Sequence, residues 1–238
     1  MILKDKIAVV TGANSGMGAE FSKKLVEKGA TVYGLARRKE KLDQTRNQLG
    51  ERFLPVSVDL SKQDEVDQFV KSTFSVDHKP DILINNAGFG AFAPVDGFPV
   101  EKWDEMVGVN LSGMFYITRL IVPLMRANDN VNHIVNIASV AGLVSNPNFS
   151  AYNATKFGVR GFSNALMKEL RTFGIKVTCF YPGSVSTEFF EKLGRDVHSN
   201  MLMGEDVANV MINLLETPDN FLIDEIVMRP LNPKPPEK

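Results

Sequence analysis

The sequence predicts a doubly wound α/β domain, a parallel sheet of about seven strands with helices on both faces. Three observations predict it. Short runs rich in Val, Ile and Leu alternate with helix-length segments along all 238 residues. The first run ends in a glycine turn, Thr11-Gly12-Ala13-Asn14-Ser15-Gly16-Met17-Gly18, which opens directly into a helical segment. Small or polar residues follow the ends of five of the runs, where such a sheet places its ligand crevice.

The elements follow in order. Lys6-Ile7-Ala8-Val9-Val10, ending at Thr11, lacks polar alternation, as a strand buried on both faces requires. In the turn, glycine admits positive φ and close approach of a ligand, and the helix N-terminus beyond it offers N–H groups to a phosphate. Ala19 to Lys28 carries Phe21 and Leu25 at helical spacing and stops at Gly29. Further strands are expected at Thr31–Ala36, Phe53–Val58, Asp81–Asn85, His133–Ser139, Ile175–Tyr181 and Phe221–Met228. Helices are expected at Lys39–Leu49, Asp64–Phe74 and Gly204–Glu216, with right-handed crossovers between strands. Met114 to Met125 is apolar nearly all round, and a helix that includes Tyr152 carries small Gly158, Gly161 and Ala165. No repeat or linker divides the chain, so one domain over 1–238 is expected, with an irregular tail over 230–238 that holds four prolines.

Composition narrows the function. Lys plus Arg number 27 and Asp plus Glu 28, so no global field draws the chain to nucleic acid or an anionic membrane. The residues behind Met1 lack a signal-peptide core, and no stretch reads as long and apolar enough to span a bilayer. A cytoplasmic protein is expected. Cys179, the single cysteine, lies in an apolar run and reads as buried and inert. His78, His133 and His198 show no metal-ligand spacing, so no metal site is expected.

Thr11, Asp59, Asn85-Asn86-Ala87-Gly88, Ser139 and Pro182-Gly183 end successive strands and therefore share one sheet edge, where a dinucleotide would lie. Tyr152 and Lys156 are four apart and project from one helix face. A free phenol has a pKa of about 10, and a nearby ammonium lowers it toward the range useful for proton exchange. Ser139 stands where its hydroxyl can donate to a carbonyl oxygen that gains charge. Turn and acid/base set together point to a nicotinamide-dependent oxidoreductase.

Over nearly its whole length the chain resembles the short-chain dehydrogenase/reductase family in its single-domain, Rossmann-fold form. The resemblance is carried by Thr11-Gly12-x-x-x-Gly16-x-Gly18, Asp59, Asn85-Asn86-Ala87-Gly88, Asn110, Ser139, Tyr152-x-x-x-Lys156 and Pro182-Gly183-x-x-x-Thr187. It implies that Tyr152 is the general acid/base, that Lys156 holds the nicotinamide ribose and lowers the tyrosine pKa, and that Ser139 orients the substrate carbonyl. Asn110 would organise a water linking the lysine to solvent. The nucleotide would rest on Gly12, Asn14, Ser15, Gly16 and Met17 of the turn, on Asp59 and Leu60, and on Asn86, Ala87 and Gly88. Pro182, Gly183, Val185 and Thr187 would meet the carboxamide. Met17 stands where the family more often has a branched aliphatic, a volume-tolerant exchange.

The second strand ends Ala36-Arg37-Arg38 with no acid before Glu40, and arginine there accommodates a 2′-phosphate. NADP(H) is therefore expected over NAD(H), with carbonyl reduction as the physiological direction. The substrate is expected to face Phe89 to Phe92, Val140, Ala141, Asn146 to Phe149, Ser184, Phe189, Phe190 and a lid over 188–203, within which Arg195 could pair with a carboxylate. The alternatives are an NAD(H)-dependent alcohol or 3-hydroxy acid dehydrogenase, a non-catalytic NADP(H) sensor, and an isomerase on bound nicotinamide. The family implies a homo-oligomer, a tetramer or dimer, with the helix from Met114 and the helix that includes Tyr152 at its interface.

Overall fold

The computed structural model describes residues 1–191 and 197–236. Its strands are β1 (Ile7–Thr11), β2 (Thr31–Ala36), β3 (Phe53–Ser57), β4 (Ile82–Asn85), β5 (Asn132–Ile137), β6 (Ile175–Pro182), β7 (Val185–Ser186), β8 (Leu202–Met203) and β9 (Glu225–Met228). Seven of them form one parallel sheet in the order β3-β2-β1-β4-β5-β6-β9, and β7 pairs with β8 beside it. The helices are α1 (Gly16–Glu27), α2 (Lys39–Leu49), α3 (Gln63–Thr73), α4 (Val100–Val107), α5 (Met114–Arg126), α6 (Ser150–Leu170), α7 (Glu188–Glu191) and α8 (Gly204–Leu215).

Successive residues of a strand face opposite ways, and the central strands are apolar on both faces for that reason. Ala8 and Val10 of β1, with Ile82, Ile84, Val135 and Phe180, pack under Phe21 and Leu25 of α1 and Val207, Met211 and Leu215 of α8. Val9, Leu83, Ile134 and Val177 look the other way, onto Val66 and Phe69 of α3, Ile117 and Ile121 of α5, and Leu166 and Leu170 of α6. Each fully buried side chain of this kind contributes roughly 1.5–3 kcal/mol.

Three local expectations are corrected. The pairing expected over Phe221–Met228 is confined to Glu225–Met228, because the Ile223 carbonyl is taken by the Thr178 hydroxyl rather than by a ladder N–H. The fifth strand ends at Ile137, and Ser139 instead caps a tight turn over Val140–Gly142, its Oγ accepting from Ala141 N–H at 3.2 Å. The expectation that no stretch is long and apolar enough to span a bilayer is also overturned. Val100–Arg126 is helical throughout and passes both tests, since Asn110, Ser112 and Thr118 are polar without charge. This run lies against the sheet through Ile117, Ile121 and Met125, while Met106 packs with Ala141, Ala151 and Tyr152. Between α4 and α5 it passes through a π-turn, Gly108–Gly113, which re-aims Asn110 into the interior.

Candidate active site

The strand order reverses between β1 and β4, so the connections leaving these strands run to opposite sides and open a crevice at their carboxyl ends. The glycine turn is fixed at its floor. Gly12 takes φ +68° and donates to the Leu35 carbonyl at 2.7 Å, tying the turn to β2. A Cβ on Gly18 would come within 2.2 Å of the Gly12 carbonyl oxygen, so only glycine lets α1 begin this close to the turn. Thr11 Oγ1 accepts from the N–H groups of Asn86 and Ala87 at 2.9 and 3.0 Å, and Asn86 Nδ2 returns a bond to the Thr11 carbonyl at 2.9 Å. Ser15 caps α1 without a side-chain bond, and the first turn of the helix holds no acid, an arrangement suited to an anion.

Beyond the end of β2, Arg38 lies beside Asn14 of the turn, whose amide oxygen, in the amide orientation that gives it a donor, accepts from the guanidinium Nε at 3.1 Å. The guanidinium is thereby held against the turn. Asp59 bonds Ser61 through Oδ1, accepting from its hydroxyl at 2.8 Å and its N–H at 3.1 Å. Asn86, expected at the nucleotide, gives its amide N–H to the turn backbone and serves to join β4 to β1.

On the other side of the crevice stand Ser139, at the end of β5, and Tyr152 and Lys156, on α6. Tyr152 is 7% exposed and Lys156 5%. The Lys156 ammonium donates to the Ile137 carbonyl at 3.0 Å and lies 5.7 Å from the Tyr152 ring centroid. Asn110 pairs with both backbone polar groups of Phe89, accepting from its N–H at 3.0 Å and donating to its carbonyl at 2.9 Å. It also donates to Thr155 Oγ1 at 3.1 Å, and Thr155 in turn bonds the Tyr152 carbonyl at 2.9 Å. Asn153 donates to the carbonyls of Ala141 and Val144, clamping the turn that carries Ser139 onto α6.

Burial sets the protonation of the pair. It pushes the Tyr152 phenol up to about 12, with the Ser139 hydroxyl pulling it back, and pushes Lys156 down to about 8. Enclosure penalises both charges, and burial is the dominant influence on each group. At neutral pH the tyrosine is a protonated acid and the lysine mostly a cation.

The crevice encloses about 800 Å³. The residues expected at the nucleotide and the reaction centre line it, except Asn110 and Lys156, which lie behind Gly88, and the strand-end residues Thr11 and Asn85, which are buried off the lining. Of the expected substrate residues, Phe89, Phe92, Val140, Ala141, Asn146, Phe149, Ser184 and Phe189 line it as well. Residues 192–196, Arg195 among them, lie outside the described residues, as does the side chain of Phe190.

Sequence reasoning missed Thr155, Asn153, Lys102, Glu105 and Val109. Asn153 and Thr155 flank the tyrosine motif, but their partners lie in other segments, and the last three line the crevice from α4 and the π-turn. Among the described residues no group of three His, Cys, Asp or Glu side chains could hold a metal. His133 is buried with its Nε2 against Thr178 Oγ1 at 2.8 Å, and burial holds it at about 3. Cys179 is buried and its thiol is pushed up by desolvation.

A family model described as short chain dehydrogenase matches residues 6–198. An uncharacterized oxidoreductase of Staphylococcus aureus (strain MRSA252) is 35% identical over 231 residues, spanning 97% of this chain and 99% of the relative. The closed form of serine dehydrogenase complexed with NADP+ superposes with a TM-score of 0.87 at 30% identity, covering 94% of this chain and 95% of that one. A 3-ketoacyl-(acyl-carrier-protein) reductase from Brucella melitensis complexed with NADH gives 0.83 at 31%, covering 94% and 96%.

Proposed function

The chain belongs to the short-chain dehydrogenase family and is an oxidoreductase, and from that premise we propose that it is an NADP(H)-dependent carbonyl reductase with Tyr152 as its acid/base. The observation that carries the reading is the buried Tyr152, bordered by Ser139 and Lys156, at the wall of a crevice floored by the glycine turn.

The crevice fits a nicotinamide dinucleotide. The turn backbone and the N-terminus of α1 suit the pyrophosphate, and the missing Cβ of Gly18 keeps them close together. Arg38, held by Asn14, and Arg37 beside it suit a 2′-phosphate, which supports NADP(H) over NAD(H). Solved relatives carry NADP+ in one case and NADH in another, consistent with either form in this architecture. Bound in this crevice, the cofactor supplies or accepts the hydride.

The protein's own residues handle the proton. Tyr152, neutral at pH 7, donates to the carbonyl oxygen during reduction and recovers the proton in the reverse direction. The Ser139 Oγ accepts from Ala141 N–H, which leaves its own proton directed at the Tyr152 phenol and the substrate oxygen beside it. Lys156, held on the Ile137 carbonyl, stabilises the phenolate left when the proton departs. Asn110 Oδ1 and Lys156 Nζ both border Gly88, which supports a water-mediated exit for the proton between them.

We place the enzyme in the cytoplasm, where a lone buried thiol needs no oxidising partner. The substrate lid expected over 188–203 includes residues 192–196, which lie outside the described residues. A homotetramer with α5 and α6 at its interface would cover the outward rings of Phe115 and Phe157, 49% and 39% exposed. The test is NADPH and NADH oxidation over a panel of ketones, aldehydes, diketones and keto acids. Turnover with NADPH supports the reading. Tight NADPH binding without turnover of any carbonyl moves it to a sensor.

A further inference from the structure

We propose that the substrate bears an aromatic or similarly flat apolar group beside its carbonyl and no carboxylate there, seated by a box of Phe92, Phe149 and Phe189 around Tyr152. The proposal rests on the reductase reading and deepens it by naming the substrate class.

The three rings come from separate parts of the chain: the loop after β4, the approach to α6, and α7. Phe92 and Phe149 have centroids 4.1 Å apart. Phe92 meets Tyr152 edge-on at 5.4 Å and 78°, and Phe189 approaches Tyr152 at 6.1 Å and 44°. A Cβ on Gly90 would fall 2.9 Å from Phe189 Cζ and 3.0 Å from Phe92 Cζ, so the two rings close over that glycine. An ordinary core cluster is the competing account. It does not explain why all three rings are only half-buried and all line the crevice, while Met106, Ala141 and Ala151 behind them are buried.

The box suits a ring. Aromatic side chains prefer offset and edge-to-face partners at about 4.5–7 Å, each pair adding roughly two- to tenfold in affinity beyond area burial. It does not suit an anion. The cations lining the crevice among the described residues are Arg37 and Arg38, at the nucleotide end, and Lys102. The Lys102 ammonium is held by Glu105 at 2.7 Å and lies 6.0 Å from the Phe89 ring. A carboxylate beside Tyr152 would be stripped of water against phenyl rings. This sets the chain apart from what the name serine dehydrogenase suggests for its structural neighbour.

The experiment is steady-state kinetics of the full chain with NADPH on three compounds: 1-phenylpropane-1,2-dione, its carboxylate counterpart benzoylformate, and 2,3-pentanedione. Phe92→Leu and Phe149→Leu are assayed beside the wild type. The expected kcat/KM for the aryl dione exceeds 2,3-pentanedione by roughly tenfold or more, and benzoylformate by a larger factor. Either Leu substitution should shrink the aryl advantage over 2,3-pentanedione to within roughly threefold. Equal or better turnover of benzoylformate overturns the proposal, and so does an aryl advantage that survives both substitutions. The wild-type comparison needs no variant, so a misfolded mutant does not rescue the idea. Turnover of the acid or the aliphatic dione without aryl preference leaves the reductase reading standing and removes this one. NADPH binding with no turnover across the broader carbonyl panel removes both.

Discussion

The Asn110 side chain bonds both the N–H and the carbonyl of Phe89, at 3.0 and 2.9 Å, as a neighbouring strand would. The π-turn that aims Asn110 inward thus holds the loop that begins at Phe89 and carries the Phe92 ring. The same amide reaches Thr155, which is bonded to the Tyr152 carbonyl. One buried side chain links the aromatic loop to the helix of the acid.

Asn110→Leu should therefore strand two backbone groups and cost about 1–3 kcal/mol of stability. In a chain of this size that is a fall in Tm of several degrees, read by thermal unfolding. Turnover should fall more than NADPH affinity, since the glycine turn is untouched. An unchanged Tm would refute the linkage.

Reduction should lose rate on the alkaline side. Lys156 is held at about 8 and Tyr152 at about 12, so raising the pH removes the lysine charge first. The kcat/KM for carbonyl reduction should decline above about pH 8, and Lys156→Met should lower the rate and abolish that limb. A profile flat to pH 10 in the wild type would contradict the assignment.

His133 makes the fold acid-sensitive. Its folded pKa is about 3, below the ordinary value, because burial disfavours the imidazolium, with Lys176 and the N-terminal amine adding to the effect. In the sign of the linkage, the unfolded chain binds the proton below about pH 6.5 while the folded chain does not. Stability is full above that value and falls as pH drops toward 3, by up to about 1.4 kcal/mol per unit. His133→Leu should flatten the dependence of Tm between pH 6.5 and 4. Parallel curves for both proteins would refute it.

Cofactor choice should turn on the end of β2. Arg38→Asp removes the guanidinium that Asn14 holds and should weaken NADPH binding by roughly tenfold or more, with NADH affected far less. Fluorescence titration of both nucleotides checks it, and equal losses would contradict the 2′-phosphate reading. Arg37→Asp should act in the same direction.

Much of this was legible because it was local. The strand runs, the glycine turn and the spacing of Tyr152 and Lys156 are patterns within short windows, and α2 was bounded correctly at Lys39–Leu49. What escaped depends on distant partners. The shortened last strand follows from Thr178 capturing the Ile223 carbonyl across 45 positions. The roles of Thr155 and Asn153 rest on bonds to Asn110 and to Ala141, in segments that no periodicity connects. The raised Tyr152 pKa comes from burial among side chains such as Met106 and Ala141, from distant segments that a local argument from Lys156 does not include.

The central claim is that Tyr152 carries the proton in a hydride-transfer reaction. The most direct test compares wild type and Tyr152→Phe for NADPH-dependent carbonyl reduction, with NADPH affinity measured on both. The account predicts a loss of roughly a hundredfold or more in kcat with affinity nearly unchanged. Turnover equal to wild type at unchanged affinity would contradict it.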